Sequence, residues 1–225
     1  FLVACVDTAL PILAKNNIQP DYVFSLDPQL DSAEYFIEYP TEKTKLIFTP
    51  TVNHNVLKNF SGERYVVYKE GHHLSKDSES AMKEKGTTQA GGSVACLALD
   101  MLIHFGCNPI FLTGQDCAFA GKRYYSNHSQ FNQKLQDRIA RMMPLEKLHR
   151  EKAQEKKQLR VKCTQGNPLL TDQVMYSYLR TLEHIIKANP GTRILNLYSH
   201  GAEIEQAPVL GSANELKRRS FISKI

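Results

Sequence analysis

An α/β fold, with a mostly parallel sheet flanked by helices, is predicted for this chain by three observations. Short runs of Val, Ile, Leu and Phe recur along it, each followed by polar residues and then a helical pattern. The first run, Phe1-Leu2-Val3-Ala4-Cys5-Val6, is continuously apolar rather than alternating, as in a strand buried on both faces. The clearest helix, Ser93 to Phe105, sets Val94, Leu97, Ala98, Met101, Leu102 and Phe105 at the i, i+3, i+4, i+7, i+8, i+11 spacing of one buried stripe. Strands alternating with helices form parallel sheets, and such sheets bind ligands at the carboxyl ends of their strands.

The elements follow in order. After the opening strand, Thr8 to Asn16 reads as a helix, with Ala9, Ile12 and Leu13 on one side and Asn16-Asn17 and Pro20 closing it. Tyr22 to Leu26 is a second strand, followed by Asp27-Pro28-Gln29 and a short helix through Phe36; Leu46 to Thr49 is a third strand and Tyr65 to Tyr68 a fourth. Gly106 closes the long helix at the position that favours a left-handed residue. Ile110-Phe111-Leu112 is the next strand and runs into Thr113-Gly114-Gln115-Asp116. A charged stretch from Gln130 to Arg160 is helical by composition, with Pro144 as a break. Asp172 to Ala188 is a helix with Val174, Tyr178, Leu182, Ile185 and Ile186 inward, and Ile194 to Leu197 is the last strand.

Composition bounds the class. The chain has 225 residues, 42% hydrophobic and 23% charged, which suits one domain over 1–225 and argues against disorder. No run of 18 apolar residues is present to span a membrane. Five cysteines without a CxxC pair argue against a disulfide framework or structural zinc and for a reducing, cytoplasmic setting. The start has no basic leader segment and no initiator Met, so the chain is read as an N-terminally truncated piece of a longer protein. The net charge of +5 is local: Lys134 to Lys162 holds ten basic and four acidic residues, leaving 18 against 19 elsewhere. That pattern points away from nucleic acid and marks 130–162 as a basic helical lid or docking segment.

Chemistry-bearing residues gather where the strands end. Asp7 and Thr8 follow the first strand, and Asp27, Pro28 and Gln29 the second. Gly91-Gly92-Ser93 opens the long helix, with two residues free to take positive φ and an N-cap hydroxyl, a geometry that offers amides to an anion. A plain tight turn with an ordinary cap would read the same way. Gly114 and Asp116 follow the fifth strand, and Asn196 and His200 lie at the last. The two early carboxylates suit ribose hydroxyls or a divalent ion such as Mg²⁺. His128, in a polar loop past Asp116, is placed for general acid–base work. His72, His73 and His104 read as surface residues.

Three stretches carry a family resemblance: Val6-Asp7-Thr8-Ala9-Leu10 with Ile18 to Gln29, Gly91 to Ala95 with Leu99-Asp100, and Gly106 through Gly114-Gln115-Asp116-Cys117-Ala118-Phe119. With Asn196 to Ala207, they resemble the motility-accessory-factor (Maf) glycosyltransferases of bacterial flagellin. The same domain is similar to the MptE-like 6-hydroxymethylpterin pyrophosphokinases. More distantly it resembles the single-domain, Rossmann-like CMP-sialic-acid sialyltransferases. Against these last, Tyr124 falls on a tyrosine that binds the leaving phosphate, and Thr171-Asp172 on a retained Thr-Asp pair. Asn167 stands where their catalytic histidine would be, Ala118 replaces a second phosphate-binding tyrosine, and Asp7 and Asp27 replace asparagines.

The resemblance implies transfer of a nonulosonic acid, of pseudaminic or legionaminic type, from a CMP-sugar donor to Ser/Thr hydroxyls of flagellin. Asp116 and His128 would then be the catalytic residues. Asp7, Thr8, Asp27, Pro28, Gln29, Gly91, Gly92, Ser93, Gly114, Tyr124, Thr171, Asn196 and His200 would contact the nucleotide. The family opens with a glycine loop upstream of the point where this sequence starts, so the fragment alone is expected to be inactive. A pterin pyrophosphokinase holding Mg²⁺-ATP, or an inactive nucleotide-sugar-binding module, are the alternatives.

Overall fold

The computed structural model describes residues 1–37, 39, 41–71, 76–119, 158–164, 166–197 and 200–211. They fall into two compact units divided between Met101 and Leu102. The basic segment before residue 158, with His128 and Tyr124, and the histidines 72 and 73 lie outside the described residues.

Unit 1 contains a four-stranded sheet in the order β1 (Ala4–Val6), β2 (Tyr22–Ser25), β3 (Lys45–Phe48), β4 (Arg64–Val66), every pair parallel. Alternate residues of paired strands build two cores. Val23 opposite Leu46 packs with Leu10, Phe36, Val56 and Phe60, and Phe24 opposite Ile47 packs on the other face with Ala90 and Leu97. Burial on both faces is why these strands read as unbroken apolar runs. Among the described residues β4 pairs with β3 alone, and all three of its residues are exposed.

The crossovers are short. A 3-10 turn over Asp7–Ala9 leads into α1 (Leu10–Lys15), where Pro11 occupies the first turn that tolerates a missing N–H. Asn17, at φ 55°, closes it, a conformation that asparagine accepts more readily than most residues. A 3-10 segment over Leu30–Phe36 follows β2 where a short helix was expected. α2 (His54–Asn59) is capped by Asn53, whose side chain accepts from the Asn55 amide at 3.0 Å. α3 (Lys76–Lys85) and α4 (Val94–His104) complete the run, and Gly106 takes φ 75° as the sequence predicts.

In unit 2, β5 (Ile110–Thr113), β8 (Ile194–Leu197) and β9 (Val209–Leu210) pair in parallel, with β8 in the middle. Asn108 fixes the start of this register: its amide donates to the Gly191 carbonyl and its Oδ1 accepts from the Arg193 amide. β6 (Gln158–Val161) and β7 (Leu169–Asp172) form an antiparallel pair, and α5 (Gln173–Ala188) follows directly, capped by Asp172 through the Met175 amide at 2.7 Å.

Three expectations change. Gln158 to Arg160 is strand, not the end of a charged helix: three of the four β6 side chains stay outside the core while Val161 is buried, so solvated residues sit on a paired strand. Phe105 is 43% exposed, because it lies past the end of α4, and Asp100 is buried on that helix instead. Val174 is 48% exposed, and the inward face of α5 runs through Leu179, Leu182, Glu183, Ile185 and Ile186. Glu183 tolerates this because its Oε1 accepts the Glu205 amide and its Oε2 lies 2.7 Å from Arg180.

Candidate functional site

In unit 1 the first two strand ends carry a layered carboxylate arrangement. Asp7, 3% exposed, sits just past β1 and is turned inward. Its Oδ2 accepts the Ser25 hydroxyl at 2.7 Å and its Oδ1 accepts the Thr8 amide at 2.8 Å. Burial pushes its carboxyl up to about 6; the two hydrogen bonds oppose the shift and the charge of nearby Asp27 adds to it.

Asp27 is only half-buried and faces outward by comparison. Its Oδ1 accepts the Gln29 amide at 2.9 Å, an Asx turn that fixes the carboxylate, while its Oδ2 has no hydrogen-bond partner among the described residues. The segment around it is tied down from the next crossover. Thr51 donates to the Leu26 carbonyl, the Asn53 amide to the Asp27 carbonyl, and the Asn53 side chain to the Pro28 carbonyl.

The glycine turn has the predicted geometry, with Gly91 at φ 56° and Gly92 at φ 94°. Neither glycine amide meets an acceptor among the described residues, whereas the Ser93 amide returns to the Ala90 carbonyl. The turn belongs to the same packing as Asp27: Ala90 before it and Val94 after it join the cluster of Phe24 and Leu26. Asp100 falls in one of the stretches that carry the family resemblance, and its carboxylate has a structural task. It is 4% exposed, and its Oδ2 accepts both the Thr88 hydroxyl at 2.7 Å and the Gln89 amide at 2.8 Å. One buried carboxylate on α4 thus fixes the chain that enters the turn. Helical phase carried the signal, since Asp100 lies seven residues, two turns, past Ser93.

Cys5 and Cys96 lie near these groups in sequence, and burial pushes both thiols up to about 12, which keeps them neutral and inert.

In unit 2, three segments meet around Asp116. Its carbonyl accepts the Ala202 amide at 2.7 Å, and a Cβ on Gly201 would run into the Asp116 backbone. Cys117 takes φ 48°, and its carbonyl accepts the hydroxyl of fully buried Thr171 at 2.8 Å. Thr171 therefore presents its hydroxyl to the loop rather than to solvent. Burial raises the Asp116 carboxyl, and the charge of His200 opposes the rise. Strained backbone at a conformation locked from two sides is a recurring feature of functional loops. Asn196 is buried on β8, and a Cβ on Gly114, at φ 71°, would meet none of the described residues within 4 Å.

Among the described residues no three His, Cys, Asp or Glu side chains are grouped to hold a metal, and no helix is long and apolar enough to cross a membrane. A Mg²⁺ ion carried in on a nucleotide needs only one or two protein carboxylates, and the free Oδ2 of Asp27 fits that requirement. Asp7, with both oxygens already bonded, does not.

The described strands and helices define an α/β, Rossmann-like protein with mostly parallel strand pairing. The sequence model for 6-hydroxymethylpterin diphosphokinase MptE-like proteins matches residues 1–122, more than half of the chain, and the chain belongs to the MptE-like family. The solved MAf glycosyltransferase from Magnetospirillum magneticum AMB-1 is similar in fold, with a TM-score of 0.67 at 20% identity over 93% of this chain. The chain spans 29% of that protein. No curated protein matches it.

Proposed function

We propose that this chain is the nucleotide-binding domain of a glycosyltransferase that moves a nonulosonic acid from a CMP-activated donor to hydroxyls of flagellin in the cytoplasm. The observation that carries the reading is the pairing, in one packed unit, of an outward carboxylate with a free oxygen and a glycine turn with two unanswered amides. Asp27 Oδ2 suits a ribose diol, since a carboxylate accepts two such bonds. The Gly91 and Gly92 amides and the start of α4 suit the phosphate that departs with CMP, whose developing charge they would stabilise. Asp7 supports rather than contacts the ligand, holding Ser25 and the start of the turn at Thr8. Asp116 and His128 are the residues we assign to proton transfer, and Tyr124 to the phosphate. The fold similarity to a MAf glycosyltransferase supports the reading.

The family's own description favours a second reading, a pterin diphosphokinase using ATP. There Asp27 would hold Mg²⁺, which neutralises phosphate charge during transfer. Calorimetric titration of CMP and of ATP, each with Mg²⁺ and with chelator, separates the two. On the glycosyltransferase reading CMP binds without metal, and Asp27→Asn weakens it by about 1.5–3 kcal/mol, one charged hydrogen bond. Binding of ATP alone, lost on chelation and on Asp27→Asn alike, would overturn it.

A further inference from the structure

Lys69 lies just past β4, where the chain stays extended. The Val67 amide donates to the Phe48 carbonyl on β3 at 2.8 Å. On the other side the Tyr68 carbonyl accepts the Thr88 amide at 2.8 Å, and the Glu70 amide donates to the Thr88 carbonyl at 3.0 Å. Lys69 and Thr88 are thereby bridged in parallel, so the chain that enters the glycine turn runs on in the direction of β4. Side chains two apart on extended backbone share a face. Val67 packs with Phe24, Ile47, Ala90, Val94 and Leu97, so Lys69 continues the face on which α4 begins, one step farther toward the carboxyl ends of the strands.

Its ammonium is uncommitted. Lys45 and Lys83 have carboxylate oxygens at 3.9 and 3.7 Å, whereas half-buried Lys69 has no ion pair or hydrogen bond among the described residues. The Asp100 oxygen that holds this segment is already occupied by Thr88 and Gln89. Gly91, whose amide also lacks an acceptor, stands three residues past Thr88, at most about 11 Å along extended chain. The four-carbon stem of a lysine and a bound phosphate together cover such a span.

We propose that Lys69 is the cationic phosphate-binding residue of unit 1, its ammonium acting with the Gly91 and Gly92 amides on one phosphate. Lysine binds phosphate as a point charge, and here it also offsets the Asp27 carboxylate, which opposes an anion at this end of the sheet. For its ligand the proposal rests on the nucleotide-binding reading above. It adds the group that selects a phosphorylated ligand over an unphosphorylated one.

The test is calorimetric titration of CMP, cytidine and inorganic pyrophosphate into the full chain, as wild type and as Lys69→Met, which keeps an unbranched apolar stem and removes the charge. Lys69→Met should bind CMP and pyrophosphate at least tenfold more weakly and cytidine within twofold of wild type. Lys69→Arg, which retains the charge, should recover most of the loss. Lys83→Met, which removes a positive charge from exposed α3, should change CMP affinity by less than twofold. If Lys69→Met does not fold, Lys69→Gln carries the same readouts. Unchanged CMP affinity, an equal loss for CMP and cytidine, or as large a loss in Lys83→Met would overturn the role of Lys69 and leave the nucleotide reading standing. Pyrophosphate binding that depends on Lys69, in a wild type that does not bind CMP, would support the role and overturn the CMP reading instead. A wild type that binds none of the three would overturn both.

Discussion

The Ser25 hydroxyl donates to the Asp7 carboxylate at 2.7 Å, joining the ends of two parallel strands through a group that burial keeps close to protonation. The folded-state value of about 6 lies above the ordinary 3.8, so the native state binds more protons than the unfolded chain between about pH 4 and 6. The stability tied to this proton is full below about pH 4 and is lost as pH rises through about 6, a fall of about 3 kcal/mol for about two units. Asp7→Asn keeps an acceptor for Ser25 and should remove this slope. Urea unfolding of both proteins across that range checks it; parallel curves would refute the assignment.

Gly201 should not tolerate a side chain. Its missing Cβ would occupy the Asp116 backbone, so Gly201→Ala should destabilise unit 2 by about 1–3 kcal/mol, as overpacking does. Gly191, with nothing within 4 Å and no left-handed φ, is the control, and Gly191→Ala should change stability by less than about 0.5 kcal/mol. Equal effects in denaturant titrations would count against the close approach.

Thr88→Val should loosen the entry to the glycine turn. It removes one of two bonds to the same Asp100 oxygen and leaves a buried carboxylate less well paired, at a cost of about 1–3 kcal/mol. Amide exchange at Gln89 should accelerate more than at Leu97, whose amide bonds back to Ser93 within unit 1. Uniform acceleration across both would show global loosening instead.

Gly92→Val should abolish nucleotide binding, whereas Ser93→Ala should weaken it modestly. Valine at φ 94° is sterically excluded and would also block a phosphate, while a cap hydroxyl is worth about 0.5–2 kcal/mol. Small, equal losses in CMP titrations would make the turn purely structural.

The sequence by itself determined the strand runs, the closing Gly106, the left-handed glycines at 91 and 92, and the placing of Asp7, Asp27 and Asp116 just past strand ends. These depend on local properties: apolar periodicity, glycine's freedom at positive φ, and the meaning of polar residues that follow a buried strand. Only tertiary structure decided which of those residues look inward. Asp7 meets Ser25 eighteen positions away, and Thr171 meets the Cys117 carbonyl across 54. β9 has only two residues, β7 ends in Thr171-Asp172, which reads as the start of the next helix, and β6 continues a charged stretch that reads as helix until β7 pairs with it. Asp100 reads as one more polar residue on an amphipathic helix until Thr88 and Gln89 arrive at its oxygen. Periodicity records which face a residue takes within its own element; which distant group answers a buried polar atom depends on how the chain closes, and no local pattern encodes that.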